Sequence, residues 1–272
     1  MAKRYTSAVR TKNIYYVANP YLVQNKRNNT YVIMCNNNVA SRENNRNASY
    51  EDIVNTGLSN PIVDLGIDYS EMGLDSFINS ETVREIPVVK TIASLIKVGL
   101  SIKEWHFARK FLKFLERFHS GSLSENEKNT FLEKYNGDSP YREKVVTLLI
   151  TANDKYFEIK QSEICGNLFV AHVKGLISWE EYTILCGCID RFSSFAEGLL
   201  DELENEKEPY HRGYQGAGDA RAAALIACAF AYQWGTHLYV TPLGILAHQY
   251  GIKGDYTYTP EDLYSKAGYQ IK

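Results

Sequence analysis

The residues of this chain best suited to metal or nucleophile chemistry are its six histidines and five cysteines, and their spacing argues against both chemistries. His106, His119, His172, His211, His237 and His248 include no H-E-x-x-H pair, and none stands at zinc-finger distance from a cysteine. Cys186-Gly187-Cys188 could hold a metal or form a redox pair. On a helix, however, residues two apart point to different faces, so small-residue packing is the simpler reading. Gly213 to Gly218, followed by Asp219, has the glycines of a phosphate-cradling loop but lacks a Lys-Ser/Thr pair. Asp219 at the following helix start would repel an anion where a phosphate site should attract it, so the loop reads as a hinge. Glu202, Glu204, Glu206 and Glu208 read as a solvated helix end, and no G-x-S-x-G elbow is present. No metal, cofactor or catalytic residue is expected. An enzyme would need His211, Asp219 and His237 to gather in one pocket.

Two neighbouring sets of residues in the stretch 84–119 are more informative. Lys103, Arg109, Lys110, Lys113 and Arg117 crowd the polar side of an aromatic helix that carries Trp105, Phe107, Phe111, Phe114 and Phe118. They are either long stems snorkelling to solvent from a buried helix or a site for phosphate groups of a nucleotide, an oligonucleotide or an anionic lipid. Just before them, Val88, Ile92, Leu95, Ile96 and Leu100 share one broad apolar face, with Lys90 and Lys97 opposite and Gly99 weakening the end. That segment either forms core or meets a membrane.

Bulk composition sets the outer limits. A formal net charge of −2 excludes a globally basic nucleic-acid coat, while 44% hydrophobic and 23% charged residues are ordinary globular usage. The odd cysteine count predicts free thiols in a reducing cytosol. MAKRYTSAVRTK is basic but has no apolar core behind it, so no secretion signal is expected. The longest uncharged run, Ala222 to Ile252, is broken by Gln233, Gly235, His237, Pro242, Gly244 and His248, which is too polar for a spanning helix.

The elements that must position these residues follow from periodicity and caps. Residues 1–60 are asparagine-rich, which favours turns, with β-prone runs at Ile14–Val17 and Thr30–Met34. Residues 61–209 read as a helical domain. Its short helices over 62–78 precede Pro87, which suits a first helical turn. Capping boxes follow at Ser101-x-x-Glu104, Ser124-x-x-Glu127 and Ser178-x-x-Glu181. A long helix is expected from Tyr141 to about Val173, broken near Gly166, and another from Ser178 to about Leu203. Residues 210–272 read as helix, strand and helix: Asp219 capping a helix to Trp234, a strand at Leu238–Val240, a helix from Thr241-Pro242 through His248, and a short one at Pro260–Lys266. The fold class is mainly α, a helical bundle with minor β elements near both termini.

Ile86–Val89 (Ile-Pro-Val-Val), Gly99–Ile102 (Gly-Leu-Ser-Ile) and the basic-aromatic Phe107–Leu115 resemble the packing motifs of a recurring bacterial family. SWEEYTILCGCID from Ser178 and LYVTPLGIL over Leu238–Leu246 extend the likeness across more than half the chain. The chain is similar in these motifs to membrane-acting effectors of anti-phage systems of the Hailong type; its asparagine-rich first 60 residues depart from that pattern. The resemblance implies a non-enzymatic homo-oligomer, cytoplasmic or associated with the inner membrane. It also implies an ion-channel-like activity gated by a nucleotide or oligonucleotide from a partner nucleotidyltransferase. Lys103, Arg109, Lys110, Lys113 and Arg117 would then bind the ligand, and Val88, Ile92, Leu95, Ile96, Lys97 and Gly99 would meet the membrane or pore. At about 1.5 Å per residue, 86–100 is too short to cross a ~30 Å core alone. The rival expectation is a soluble helical ligand-binding or adaptor protein in which 86–118 is the core hairpin and Ile92 and Leu95 are buried in one monomer.

Overall fold

Local chemistry explains most of the boundaries in this computed structural model, which describes residues 23–24, 31–32, 50–60, 86–97, 102–205, 214–215 and 218–269. The chain divides after Asn47 into two compact units. In the first, β1 (Val23–Gln24) pairs antiparallel with β2 (Tyr31–Val32). Thus Thr30–Met34 does contain a strand, paired with a partner that composition did not suggest. Ile14–Val17 and the helices expected over 62–78 lie outside the described residues.

The second unit is a helical bundle with a small sheet near its C-terminus. It opens with α1 at residues 50–59, where a turn-rich segment was expected. Tyr50, Ile53, Val54 and Leu58 recur at helical spacing and are all buried, which overrides the asparagine-rich context. Then come α2 (Pro87–Lys97), α3 (Ile102–Phe118), α4 (Glu125–Gly137) and α5 (Ser139–Lys155). These are followed by α6 (Ile159–Val173), α7 (Trp179–Ile189) and α8 (Glu197–Glu204). Ser124 and Ser178 form the expected capping boxes with Glu127 and Glu181. The cap of α5 is Asp138, with Oδ1 accepting from the Tyr141 N–H at 3.0 Å. Ser101 lies outside the described residues.

Two long helices expected from periodicity are each divided. The Tyr141–Val173 helix stops at Lys155 and restarts at Ile159, and Gly166 lies inside α6 instead of breaking it. Gln161 Oε1 accepts from the backbone N–H groups of Phe157 and Glu158, at 2.7 and 2.8 Å, and so restarts the helix. The Ser178–Leu203 helix likewise stops at Ile189. Gln161 Nε2 donates to the carbonyls of Ile189 and Phe192, at 2.7 and 2.9 Å, taking up chain-end acceptors that a continued helix would have used. One buried side chain therefore sets both breaks.

The C-terminal part departs further. α9 (Ala220–Ala227) ends well short of Trp234; Ala229 turns the chain with φ +63°, and β4 (Ala231–Trp234) and β5 (His237–Val240) form a hairpin. β3 (Tyr214–Gln215) completes a sheet of order β3-β5-β4, antiparallel throughout. Tyr and Trp suit a pleat, and the alternation Tyr232-x-Trp234 against His237-x-Tyr239 was the overlooked signal. Thr241 caps α10 (Pro242–Leu246) as expected, and a π-helix (Ala247–Ile252) continues it before α11 (Pro260–Lys266). Asn167 Nδ2 donates to the Gly251 carbonyl at 2.7 Å, satisfying an acceptor that the wider π-turn displaces.

The core runs along α3. Phe107, Phe111 and Phe114 stack in succession, Tyr50 of α1 lies 4.0 Å from Phe107, and Phe169 of α6 meets Phe114, Phe118, Phe131 and Tyr182. α3 packs more extensively on α6 than on any other described element. Gly166 makes this approach possible, because a Cβ there would sit 2.7 Å from the Phe114 carbonyl oxygen.

Burial also creates a pH dependence. It holds His119, His172 and His248 below the ordinary histidine pKa of about 6.5, and for His248 it outweighs the opposing hydrogen bond to Asp201. Acidification therefore protonates the unfolded chain first. Stability is fully present above about pH 6.5 and is lost as pH falls from there through the lower native values. Urea midpoints should drop between pH 7.5 and 5.5, and His248→Gln should shallow that slope.

Candidate functional site

The basic set on α3 is spent on the protein itself. Lys110, only 8% exposed, donates through Nζ to the carbonyls of Tyr156 (2.7 Å) and Asp154 (3.5 Å), at the C-terminal end of α5. An ammonium there takes up unpaired carbonyls and opposes the negative end of the helix dipole. Burial lowers its pKa, with the Asp154 carboxylate opposing. Lys103 pairs with Asp154 at 2.9 Å, Lys113 with Glu116 at 3.1 Å, and Arg117 with Glu163 of α6. Arg109 is half-buried. Lys103, Lys110 and Arg117 thus clamp α3 to α5 and α6, while Lys113 pairs within α3 itself.

The apolar set divides in a similar way. Val88 and Ile92 are 1% and 0% exposed and belong to the core. Leu95, Ile96 and Lys97 lie in the last turn of α2, and Gly99 is outside the described residues. Among the described residues no helix is long and apolar enough to cross a membrane. Asp219 caps α9 and holds Arg221 at 2.8 Å, while His237 stands on the hairpin and His211 lies outside the described residues. Cys186 is buried, Gly187 exposed and Cys188 half-buried, so the pair does point to different sides of α7. The Cys186 thiol lies 3.6 Å from that of Cys165.

A site that these residues did not announce opens between α5 and α7. α5 contributes Pro140, Glu143, Lys144, Thr147, Leu148 and Thr151, spaced by three and four so that they form one stripe along the helix. α7 contributes Trp179 and Thr183, and the space between them measures about 540 Å³. Each helix touches its other neighbours more than it touches this partner, which leaves the gap.

Trp179 is the most firmly held part of the wall. It follows the Ser178 cap, and its ring meets Tyr141 at 5.9 Å, His172 at 5.4 Å and Tyr182 at 5.6 Å. His172 is fixed at both nitrogens. Nδ1 lies 3.1 Å from the Ile177 carbonyl and must donate to it, so in the neutral ring Nε2 accepts from the Tyr141 hydroxyl at 3.3 Å. Burial lowers the His172 pKa, the carbonyl bond opposing, and burial raises Tyr141 to about 12, so both stay neutral near pH 7. Thr183 Oγ1 donates to the Trp179 carbonyl at 2.8 Å, leaving its lone pairs as acceptors. The lining therefore offers an indole and a leucine as apolar surface, three threonine hydroxyls, one carboxylate and one ammonium. Sequence reasoning missed it because the α5 stripe is mostly polar and reads as an ordinary solvated face.

Fold and groove together define a helical bundle with an open, mixed-polarity cleft. No protein-family model, curated protein or solved structure matches the chain.

Lys110 and Lys103 separate structural cation from surface cation. Lys110→Met should lower unfolding free energy by about 2 kcal/mol, because it strands buried carbonyls at the end of α5. Lys103→Ala should cost less than about 1 kcal/mol. Urea denaturation of the two variants checks the order, which a purely ligand-binding role for both residues would not produce.

Proposed function

We propose that this chain is a non-catalytic helical ligand-binding or adaptor protein whose α5–α7 groove receives one amphipathic organic molecule. The groove carries this reading. Its volume of about 540 Å³ lies in the range of small-molecule sites, which combine apolar surface with a few placed polar groups. Trp179 and Leu148 supply the apolar contact, the threonine hydroxyls supply orientation, and Glu143 and Lys144 stand at the exposed rim. No histidine or cysteine lines it, and its one carboxylate, Glu143, stands at the exposed rim, so the groove favours binding over bond-making.

The membrane-effector alternative places heavier demands on the fold. Val88 and Ile92 would have to leave the core for α2 to meet a bilayer, and the α3 cations would have to exchange protein partners for a nucleotide.

A small-molecule fragment screen by thermal shift, with tryptophan fluorescence as second readout, tests the groove. Ligands should raise Tm, and Trp179→Ala and Leu148→Glu should each abolish the shift while far-ultraviolet circular dichroism stays native. Stabilising ligands that ignore both substitutions would remove the groove from the account. Ion flux from liposomes on adding the wild-type protein would restore the membrane reading.

A further inference from the structure

The β4–β5 hairpin presents a surface that the groove does not use. Its register sets Tyr232 opposite Tyr239 and Trp234 opposite His237, and directly opposed residues share a face, so four rings stand on one side of the ribbon. The other side carries Leu238 and Val240, both buried, which anchor the hairpin to the core. A sheet with one buried face ordinarily turns polar residues to water on the other. Here Trp234 is 75% exposed and Tyr232 40%.

The platform is held in place from several directions. Tyr232 and Tyr239 stack with centroids 5.5 Å apart and planes at 23°, and the His237 ring lies 6.4 Å from Tyr239. Gly235, at φ +62°, lets the chain reverse in two residues beside Trp234. Thr236 Oγ1 lies 3.3 Å from His237 Nδ1 and fixes that imidazole edge. From the tail, the Tyr269 hydroxyl donates to the Val240 carbonyl of β5. A rigid row of rings loses little freedom on binding, which suits it to a flat partner.

Charge selects the partner. Phe230 through Leu246 contains no Asp, Glu, Lys or Arg, so the ribbon brings no fixed charge to a ligand. A nucleotide would set phosphates against a face that supplies no cation of its own. A neutral sugar ring instead offers a flat C–H face to an indole and hydroxyls to phenol and imidazole edges, which is the double character these side chains present.

We propose that the Tyr232–Trp234–His237–Tyr239 face is a carbohydrate-binding platform on which Trp234 stacks a ring of a neutral oligosaccharide. The tyrosine hydroxyls and the His237 imidazole bond to the sugar's edge. The site is independent of the α5–α7 groove.

Native gel electrophoresis of the full chain through gels containing laminarin, xylan, glucomannan or glycogen tests the assignment. At least one neutral glycan should retard the wild type. Trp234→Ala should weaken that affinity about tenfold or more, Trp234→Phe should retain most of it, and the groove variant Trp179→Ala should leave it unchanged. Circular dichroism and Tm establish that each variant is folded. No retardation by any of the four glycans, or equal retardation of wild type and Trp234→Ala, would overturn the proposal. So would binding of oligo(dT) through Trp234 without glycan binding, or a dimer seen by light scattering that Trp234→Ala dissolves. Those two outcomes would reassign the face to a nucleobase or to a second copy of the chain.

Discussion

The rest of the helical unit depends on how closely α3 and α6 cross at Gly166. Without a side chain there, the α6 backbone reaches the Phe114 carbonyl, and the aromatic residues on either side of the crossing interlock. Phe169, one turn on, becomes the residue through which α3, α4 and α7 share one aromatic core. Arg117 and Glu163 close the same crossing with an ion pair, and Lys110 fastens the end of α5 to α3. The basic-aromatic helix α3 is therefore the axis of the bundle.

That arrangement changes where function should be sought. Val88, Ile92, Lys103, Lys110 and Arg117 are occupied by holding the core and its helices together, and the density of aromatic and basic residues on α3 reflects how many neighbours it has to hold. Surface remains available where neighbours are few. α5 and α7 rest on other helices more than on each other and leave a groove, and the β4–β5 hairpin turns its rings to solvent while its opposite face is anchored. Both features combine apolar surface with polar edges, and the proposed binding roles rest on that combination.

Much of the bundle was legible because its signals were local. Ser124, Ser178, Thr241 and Thr259 cap helices through side chains a few residues away from the groups they satisfy, and proline follows or opens the first turn at Pro87, Pro140, Pro242 and Pro260. The hidden features were those made by distant residues. The break at Tyr156–Glu158 depends on Gln161 and on Lys110 from α3, and Gln161 also terminates α7. Gly166 resembled a helix breaker because nothing near it in sequence reveals the Phe114 backbone it faces. The alanine-rich run of α9 obscured the hairpin that follows, although the aromatic alternation around Gly235-Thr236 was visible. The groove could not be read at all, since its α5 stripe is indistinguishable from a solvated helix face until α7 is placed beside it.

Substitution at the crossing separates packing from propensity most directly. Alanine is a better helix former than glycine by about 1 kcal/mol in a helix interior, so propensity alone predicts that Gly166→Ala stabilises the protein. The crossing predicts the opposite sign, because the added Cβ meets a backbone carbonyl and the Arg117 stem, which cannot move without separating α3 from α6. Urea denaturation of Gly166→Ala at pH 7.5 should show a loss of about 2 kcal/mol or more. Unchanged or increased stability would contradict the central place given to the α3–α6 contact.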